Sequence, residues 1–193
     1  IMHDDNFIRT TGMDKNIYAC ASSELAAYNQ AFIWMDWKAV EVMPTLQQAL
    51  KLMHNFEHLE VEVKAVTDIQ AAEKLVIELQ KQLQGFEQTA VITSFDLKIH
   101  HALQQQKSIF KRGLLVEHDI QEKAIAQALE FDCCQIGWMD QLATDAMICA
   151  TQQENLNVSV WTVNDVERAK YLQSLAINGL ITDFPKMMQR HLK

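Results

Sequence analysis

Four ionisable groups recur at every second position of the heptapeptide HLEVEVK, which spans residues 58–64. An alternation with period 2 predicts a β-strand, with the four charged side chains on one face and the three apolar side chains on the other. A strand at the protein surface, with one buried face and one solvent-exposed face, has the same pattern. In a buried sheet, however, the acid–base pair of Glu62 and Lys64 needs polar partners, and such a pair can do chemistry or hold a metal ion. Glu62 and Lys64 are therefore the first candidate site residues.

The elements that would position this pair alternate regularly along the chain. Runs with strand character alternate with segments whose apolar residues recur at spacings of three and four, which predicts parallel strands covered by helices. The predicted strands cover residues 58–64, 89–95, 112–117, 133–138, 157–163 and 179–183, and the predicted helices cover residues 68–84, 96–106, 120–129, 140–154, 165–175 and 185–192. Before them, residues 6–43 are irregular apart from a candidate helix at 23–30, and Pro44 and Thr45 open a further helix.

Two folds suit this pattern, an eight-stranded β/α barrel and an open doubly wound sheet. No glycine-rich phosphate loop follows any predicted strand, which disfavours a dinucleotide-binding sheet. A complete barrel takes about 250 residues, so a chain of 193 residues suits a barrel without its first two strands. We therefore predict an α/β fold of the (β/α)8 TIM type, lacking two strands, as one domain over residues 1–193.

The first residues, Ile1-Met2-His3, have the character of a strand end and include no initiator methionine at position 1. We therefore expect that further residues precede them, including any signal peptide. The four cysteines match no zinc motif, which favours reduced thiols and a cytoplasmic location. A periplasmic or secreted location stays open, because a signal peptide would lie upstream.

A formal net charge of -8 disfavours a general nucleic-acid or anionic-membrane binder, because such proteins carry a basic patch. An anionic substrate would need a bound cation or a few well-placed basic side chains. No apolar run approaches the roughly 18 residues of a membrane-spanning helix. The sequence therefore predicts no nucleic-acid partner and no membrane span.

Polar or aromatic residues lie at the carboxyl ends of the predicted strands, where barrel enzymes carry their sites. They are His3, Asp4, Glu62, Lys64, Ser94, Trp161, Asn164 and Asp183. A histidine at a strand end, such as His3, is also often a structural residue held by hydrogen bonds. Trp161 likewise suits a structural role in which it closes one end of a barrel. Asn164 and Asp183 also suit helix caps. The acid–base pair of the heptapeptide fits a purely structural role least well.

Six motifs follow one another along the whole chain. They are IMHDDNFIRTTG at residues 1–12, MPTLQQAL at 43–50, LEVEVK at 59–64, ITSF at 92–95, VSVWTVND at 158–165 and GLITDFP at 179–185. Their content and order resemble the glycerophosphodiester phosphodiesterase family, which carries a His-Asp strand end, an Arg-Thr-Thr turn, a Glu-x-Lys strand and a Trp-Thr-Val-Asn motif.

This resemblance implies a β/α barrel that hydrolyses glycerophosphodiesters to an alcohol and glycerol 3-phosphate. By the same resemblance, His3 corresponds to the second of two catalytic histidines and Glu62 to a carboxylate ligand of a divalent cation, Mg²⁺ or Ca²⁺. Lys64 corresponds to the cation that faces the phosphate, and Trp161 to an aromatic wall of the substrate site.

The chain departs from the family pattern in two places. It has no counterpart of the His-Arg-Gly motif with the first catalytic histidine, or of the Glu-x-Asp pair of metal ligands, and both would belong upstream of Ile1. A catalytically inactive barrel that binds phosphodiesters or a partner is therefore an alternative. A structural or interaction protein is a further alternative, which the aromatic segment Phe32–Trp37 favours. Among enzymes, related phosphodiester chemistry, either phospholipase D-like or the cleavage of inositol phospholipids, is another.

Overall fold

A computed structural model describes residues 1–192. The chain divides into two compact units, Ile1–Phe56 and Glu57–Lys193, and each unit is described by itself. Among the residues that the structure describes, no helix is both long enough and apolar enough to cross a bilayer. One barrel domain over residues 1–193 stays a prediction.

Unit 1 begins with a small antiparallel hairpin whose two strands are joined by one helical turn. Its elements are β1 (Asn6–Phe7), α1 (Ile8–Thr11) and β2 (Met13–Asn16). Gly12 ends α1 with a φ of 75°, a left-handed conformation that glycine adopts without strain. Phe7 is fully buried, and its ring packs on Tyr28 with centroids 4.9 Å apart.

The predicted strand at the first residues of the chain is wrong. Ile1 and Met2 have no regular structure, and His3 lies in a bend. A strand exists only where its backbone pairs with a neighbour, whereas the amino group of Ile1 donates to the carbonyl of Pro44 at 2.5 Å.

The rest of unit 1 consists of short helices and one long loop. A 3-10 turn (Ile17–Ala19) and α2 (Ser22–Leu25) precede the loop, and α3 (Leu46–Leu52) follows it. Thr45 and Gln48 form a capping box at the start of α3, which confirms the helix predicted there. The helix predicted at 23–30 is shorter in the structure, where α2 ends at Leu25. Beyond it, the Asn29 side chain accepts hydrogen bonds from the backbone amides of Ala31 and Glu41, which stabilise a loop and not a helix.

Unit 2 is a curled six-stranded parallel sheet with helices between its strands. The strands are β3 (Leu59–Glu62), β4 (Ala90–Ser94), β5 (Lys111–Val116), β6 (Gln135–Met139), β7 (Asn157–Trp161) and β8 (Gly179–Leu180). The helices are α4 (Ile69–Gln82), α5 (Leu97–Gln105), α6 (Glu122–Glu130), α7 (Asp145–Gln153), α8 (Val166–Ser174) and α9 (Pro185–His191).

The strand order decides between the two predicted folds. The strands of unit 2 neighbour each other in chain order from β3 to β8, and every pair is parallel. A doubly wound sheet reverses its strand order at a switch point, whereas a β/α barrel keeps it. The described strands therefore have barrel order, and closure of a complete eight-stranded barrel stays a prediction.

The two faces of the sheet differ as the heptapeptide predicted. One face packs on the helices through apolar side chains of β5, β6 and β7, which are Leu114, Val116, Ile136, Trp138, Val158 and Val160. On β3 the same face carries the buried side chains of Leu59 and Val63. By strand alternation and register, Glu62 and Lys64 belong to the other face, which the helices do not cover.

Aspartate or threonine side chains cap α4, α5, α7 and α8 and so set where the loops before these helices end. Asp68, Asp96 and Asp165 accept hydrogen bonds from the first turns of α4, α5 and α8. The helix predicted at 140–154 starts later than expected, at Asp145. Thr144 caps it, and the preceding residues Asp140–Leu142 form a separate 3-10 turn.

Candidate functional site

Glu62 and Lys64 lie together at the carboxyl end of β3. The Lys64 ammonium donates to a Glu62 carboxylate oxygen at 2.5 Å. The Glu62 side chain is 30% exposed, and the Lys64 side chain is 32% exposed. The other two ionisable groups of the heptapeptide form a separate pair, in which His58 lies 3.4 Å from Glu60. The row of charges therefore divides into two pairs, and only the pair of Glu62 and Lys64 lies at the edge where barrel sites form.

The end of β4 holds the backbone on both sides of Lys64. The hydroxyl of the fully buried Ser94 donates to the carbonyl of Val63 at 2.7 Å and accepts the amide of Asp96 at 3.0 Å. The Asp96 carboxylate accepts the amide of Val66 at 3.0 Å. Because Val63 and Val66 flank Lys64, these bonds fix the loop that carries its side chain.

Asp96 stays ionised in this position. Burial alone would raise its pKa, but hydrogen bonds from the backbone amides of Val66 and Lys98 outweigh burial, so the pKa of Asp96 lies below its usual value. The Lys98 amide lies 2.9 Å from the carboxylate and belongs to the first turn of α5. One carboxylate therefore ties the loop after β3 to the helix after β4.

Trp161 lies at the end of β7 and is held from two sides. Its indole N–H donates to the carbonyl of Gly137 at 2.9 Å, and its ring meets Phe95 edge to face with centroids 5.4 Å apart. A Cβ at Gly137 would lie 2.6 Å from a side-chain carbon of Leu115 and 3.6 Å from the Trp161 ring, so a side chain there would require Leu115 to shift. The peptide bond between Trp161 and Thr162 is cis.

Other acidic residues at the same edge have structural partners. Asp140 accepts a hydrogen bond from the Arg168 guanidinium at 2.8 Å, and Asp183 accepts one from the Asn164 amide at 2.8 Å. Asp183 and Asn164 do not cap helices, contrary to the alternative raised from the sequence. Their side chains instead join the loops after β7 and β8, and Phe184 precedes α9 without a side-chain cap.

His3 lies in unit 1, where two neighbours orient it. Its Nδ1 is 2.6 Å from a carboxylate oxygen of Asp4, and that carboxylate also accepts two hydrogen bonds from Arg9 at 2.7 and 3.0 Å. The Arg9 guanidinium, and then His3, lower the pKa of Asp4 to about 2. A carboxylate on Nδ1 leaves Nε2 for other partners, and the His3 side chain is 72% exposed.

The structure brings together two of the four predicted site residues, Glu62 and Lys64, and places Trp161 at the same edge of the sheet. His3 belongs to the other unit. The sequence did not indicate the supporting roles of Asp4, Arg9, Ser94 or Asp96. The sequence placed Asp4 and Ser94 among the polar residues at predicted strand ends and Arg9 in the Arg-Thr-Thr turn, but these positions do not reveal which groups the side chains bind.

A divalent cation needs more ligands than this arrangement supplies. Mg²⁺ and Ca²⁺ take six or more oxygen ligands, and Glu62 contributes one carboxylate that is already paired with Lys64. Within residues 1–192, no three or more His, Cys, Asp or Glu side chains are grouped so as to hold a metal ion. The residues present therefore do not form a complete cation site by themselves.

Comparison with protein families gives a match over residues 1–187 to the model described as "Glycerophosphoryl diester phosphodiesterase family". The chain belongs to that family. This membership confirms the resemblance read from the motifs and classes the protein among the phosphodiesterase enzymes. YhdW of Bacillus subtilis (strain 168), which carries the name of a glycerophosphodiester phosphodiesterase, is 23% identical over 191 residues, covering 96% of this chain and 76% of YhdW.

Solved structures of glycerophosphoryl diester phosphodiesterases share the fold. A phosphodiesterase of Oleispira antarctica, in complex with its product sn-glycerol-3-phosphate, matches with a TM-score of 0.81 and 18% identity, covering 99% of this chain and 78% of that one. A glycerophosphodiester phosphodiesterase of Parabacteroides distasonis ATCC 8503 matches with a TM-score of 0.80 and 15% identity, covering 98% and 75%. At these identities the likeness concerns the fold alone.

Proposed function

We propose that this protein hydrolyses glycerophosphodiesters to an alcohol and glycerol 3-phosphate. The observation that carries the proposal is the pair of Glu62 and Lys64 at the carboxyl end of β3, in a chain that matches the family over residues 1–187. A phosphodiester is anionic and repels nucleophiles, so its hydrolysis depends on charge neutralisation and positioning. The Lys64 ammonium at the carboxyl edge of the parallel sheet is a positioned cation that can neutralise the phosphate charge.

Lys64 would neutralise a non-bridging phosphate oxygen. In the absence of substrate its ammonium is paired with Glu62, and a partly exposed ion pair of this kind contributes only about 0–1 kcal/mol. Exchanging the carboxylate for a phosphate oxygen therefore costs little. The Ser94 hydroxyl donates to the carbonyl of Val63, and the Asp96 carboxylate accepts from the amide of Val66. These two bonds keep the backbone of the loop in place, so that only the side chain of Lys64 needs to move.

His3 would move a proton during the reaction, as base toward the attacking hydroxyl or as acid toward the leaving alkoxide. Asp4 supports this role because its ionised carboxylate holds Nδ1 and fixes the ring orientation. Arg9 in turn holds Asp4, which keeps the carboxylate charged over the whole physiological pH range.

Trp161 and Phe95 would form an apolar wall at the substrate site. Their edge-to-face contact and the hydrogen bond from the indole to Gly137 hold the Trp161 ring in one orientation. A fixed aromatic surface at the strand ends can exclude water beside a bound glycerol group.

A divalent cation, Mg²⁺ or Ca²⁺, is the cofactor that the family resemblance implies, and when bound it would neutralise phosphate charge. In this chain we assign Glu62 as one ligand, and the remaining ligands are not grouped among the described residues. Glu62→Gln should weaken the dependence of turnover on added Mg²⁺ or Ca²⁺. An unchanged response to chelator in that variant would remove Glu62 from the metal shell.

Turnover of glycerophosphodiesters by the purified protein is the decisive measurement. Glycerol 3-phosphate release from glycerophosphocholine and glycerophosphoethanolamine can be followed with a coupled dehydrogenase, with and without Mg²⁺ or Ca²⁺. Release above the uncatalysed rate supports the proposal. The alternative, an inactive barrel that binds phosphodiesters or a partner, predicts saturable binding of the same compounds without release of glycerol 3-phosphate.

A further inference from the structure

His100 is a fully buried histidine outside the candidate site, and both of its ring nitrogens have polar neighbours. It belongs to α5 and packs against the end of β4. An imidazole costs free energy to bury unless its nitrogens find hydrogen-bond partners, so an apolar side chain would fill the same space at a lower cost. A histidine at this position therefore needs an explanation other than packing.

The two contacts of the ring define its tautomer. Nε2 lies 3.0 Å from the carbonyl of Ser94, and a carbonyl only accepts, so Nε2 carries the hydrogen and donates it. Nδ1 lies 3.8 Å from Sγ of Cys133. Burial raises the pKa of the Cys133 thiol to about 12, so the sulfur keeps its hydrogen and can donate weakly to Nδ1.

The hydrogen bond from His100 continues through Ser94 to the loop that carries Lys64. The Ser94 hydroxyl donates to the carbonyl of Val63 at 2.7 Å, and Val63 directly precedes Lys64. His100, Ser94 and Val63 are all buried. Two hydrogen bonds away from water therefore join α5 to the residue before Lys64, and such bonds hold their geometry better than exposed ones.

A second connection to the same loop uses Asp96, the cap of α5. The Asp96 carboxylate accepts the amide of Val66 at 3.0 Å, and the Asp96 amide in turn donates to Ser94 Oγ at 3.0 Å. Ser94 therefore holds both Val63 and the residue that binds Val66. A shift of Ser94 would disturb the loop on both sides of Lys64.

We propose that His100 is a positioning residue, which fixes the loop that carries Lys64 by holding the carbonyl of Ser94. Because the ring is fully buried, it acts through Ser94 and not by contact with a substrate. For turnover this role rests on the proposed function, in which Lys64 faces the phosphate, whereas the constraint on the loop does not depend on hydrolysis.

Amide hydrogen exchange tests the constraint without any substrate. His100→Leu fills the space but cannot donate, so protection of the Val66 and Asp96 amides should fall about tenfold, the effect of losing one buried hydrogen bond. His100→Gln, whose Nε2 can donate to the same carbonyl, should keep protection within about threefold of the wild type. If His100→Leu does not fold, His100→Asn takes its place, because its amide is one methylene shorter than that of glutamine and does not span the distance.

Thr151→Val is the matched control for lost stability alone. Thr151 is also fully buried, and its hydroxyl accepts the Trp138 indole N–H at 3.2 Å, between α7 and β6. The variant keeps the shape of the side chain and removes this bond, three strands away from β3. It should destabilise the fold but leave protection at Val66 and Asp96 unchanged. Equal losses of protection in His100→Leu and Thr151→Val would overturn the proposal.

A double-mutant cycle tests whether the effect on turnover passes through Lys64. In the wild-type background, His100→Leu should lower kcat/KM for glycerophosphocholine about tenfold. In a Lys64→Met background the same change should lower kcat/KM less than about twofold, because the residue that His100 positions is gone. An equal fall in both backgrounds indicates a general structural role and contradicts the proposal. If the wild type has no turnover, the proposed function fails, and hydrogen exchange alone decides whether His100 positions the loop.

Discussion

The rings of Phe95, which follows β4, and Trp161, which ends β7, meet edge to face with centroids 5.4 Å apart, although β5 and β6 lie between these two strands. Three strand spacings in a flat sheet amount to about 14 Å, and side chains stand roughly perpendicular to a sheet. Contact across that separation fits a sheet that curls toward this face. The pair therefore links the curvature of unit 2 to the placement of an aromatic wall at its carboxyl edge.

A double-mutant cycle tests this contact. Phe95→Leu and Trp161→Leu should show a coupling of about 0.5–1.5 kcal/mol in the free energy of unfolding, the usual value for an aromatic pair. Urea denaturation measures it. A second cycle, Phe110→Leu with Trp161→Leu, is the control and should show additivity, because Phe110 precedes β5 at the opposite edge of the sheet. Additivity in both cycles would contradict the contact.

Ser94 and Ser159 are two buried serines whose replacement by alanine should affect the free energy of unfolding differently. Ser94→Ala removes the donor to Val63 and the acceptor of the Asp96 amide, so it should lower the free energy of unfolding by about 1–3 kcal/mol. The Ser159 hydroxyl has no hydrogen-bond partner among the described residues, so Ser159→Ala should be close to neutral. Urea denaturation of both variants measures the difference, and equal losses would show that the bonds of Ser94 do not stabilise the loop.

Stability should fall as the pH is lowered from 7 to 5 because of His100. This fully buried ring bonds the carbonyl of Ser94 at 3.0 Å, and burial lowers its pKa. A group with a lowered folded pKa stays neutral while the unfolded chain takes up a proton, so stability decreases below the ordinary histidine pKa near 6.5. The slope cannot exceed about 1.4 kcal/mol per pH unit for one proton.

His100→Gln keeps a donor for Ser94 but cannot titrate, so the decrease between pH 7 and 5 should be smaller in this variant. The exposed neighbour His101 supplies the control, since His101→Gln should leave the pH dependence unchanged. Chemical denaturation at a series of pH values measures the effect. A wild-type slope retained in His100→Gln would assign the pH dependence to another group.

Lys64→Met should lower kcat/KM for glycerophosphodiesters by about 100-fold, the usual cost of losing one positioned group that stabilises transition-state charge. Lys64→Arg should retain part of the activity, because it keeps the charge but changes its geometry. Lys81→Met, which removes an exposed lysine of α4 paired with Glu78, is the control for charge alone and should change kcat/KM less than twofold. Activity of Lys64→Met near that of the wild type would remove Lys64 from the phosphate site.

His3→Ala should leave the melting temperature unchanged, because the side chain is 72% exposed, and should lower turnover by about 100-fold or more. The matched control is His118→Ala, which removes another exposed histidine beside a carboxylate, 3.8 Å from Glu117. Steady-state kinetics with glycerophosphocholine compares the two variants. If both retain wild-type turnover, His3 has no role in proton transfer.

Local sequence patterns determined much of this protein. The alternation in residues 58–64 predicted the strand and its two faces, and Asp68, Thr45 and Pro185 marked helix starts that the structure confirms. These features depend on neighbours within a few residues, so they are legible without knowing the rest of the fold. The motif order likewise predicted the family, which the match over residues 1–187 confirms.

Tertiary structure decided which distant groups meet. Ser94 binds Val63 across 31 residues, Asp96 binds Val66, and Phe95 reaches Trp161, because strand register and sheet curvature bring these positions together. The strand predicted at the first residues is wrong for the same reason. A strand needs a neighbouring strand to pair with, and a local sequence pattern does not show whether one is present. Sequence periodicity determines which face a side chain occupies, whereas its partners depend on how the chain packs in three dimensions.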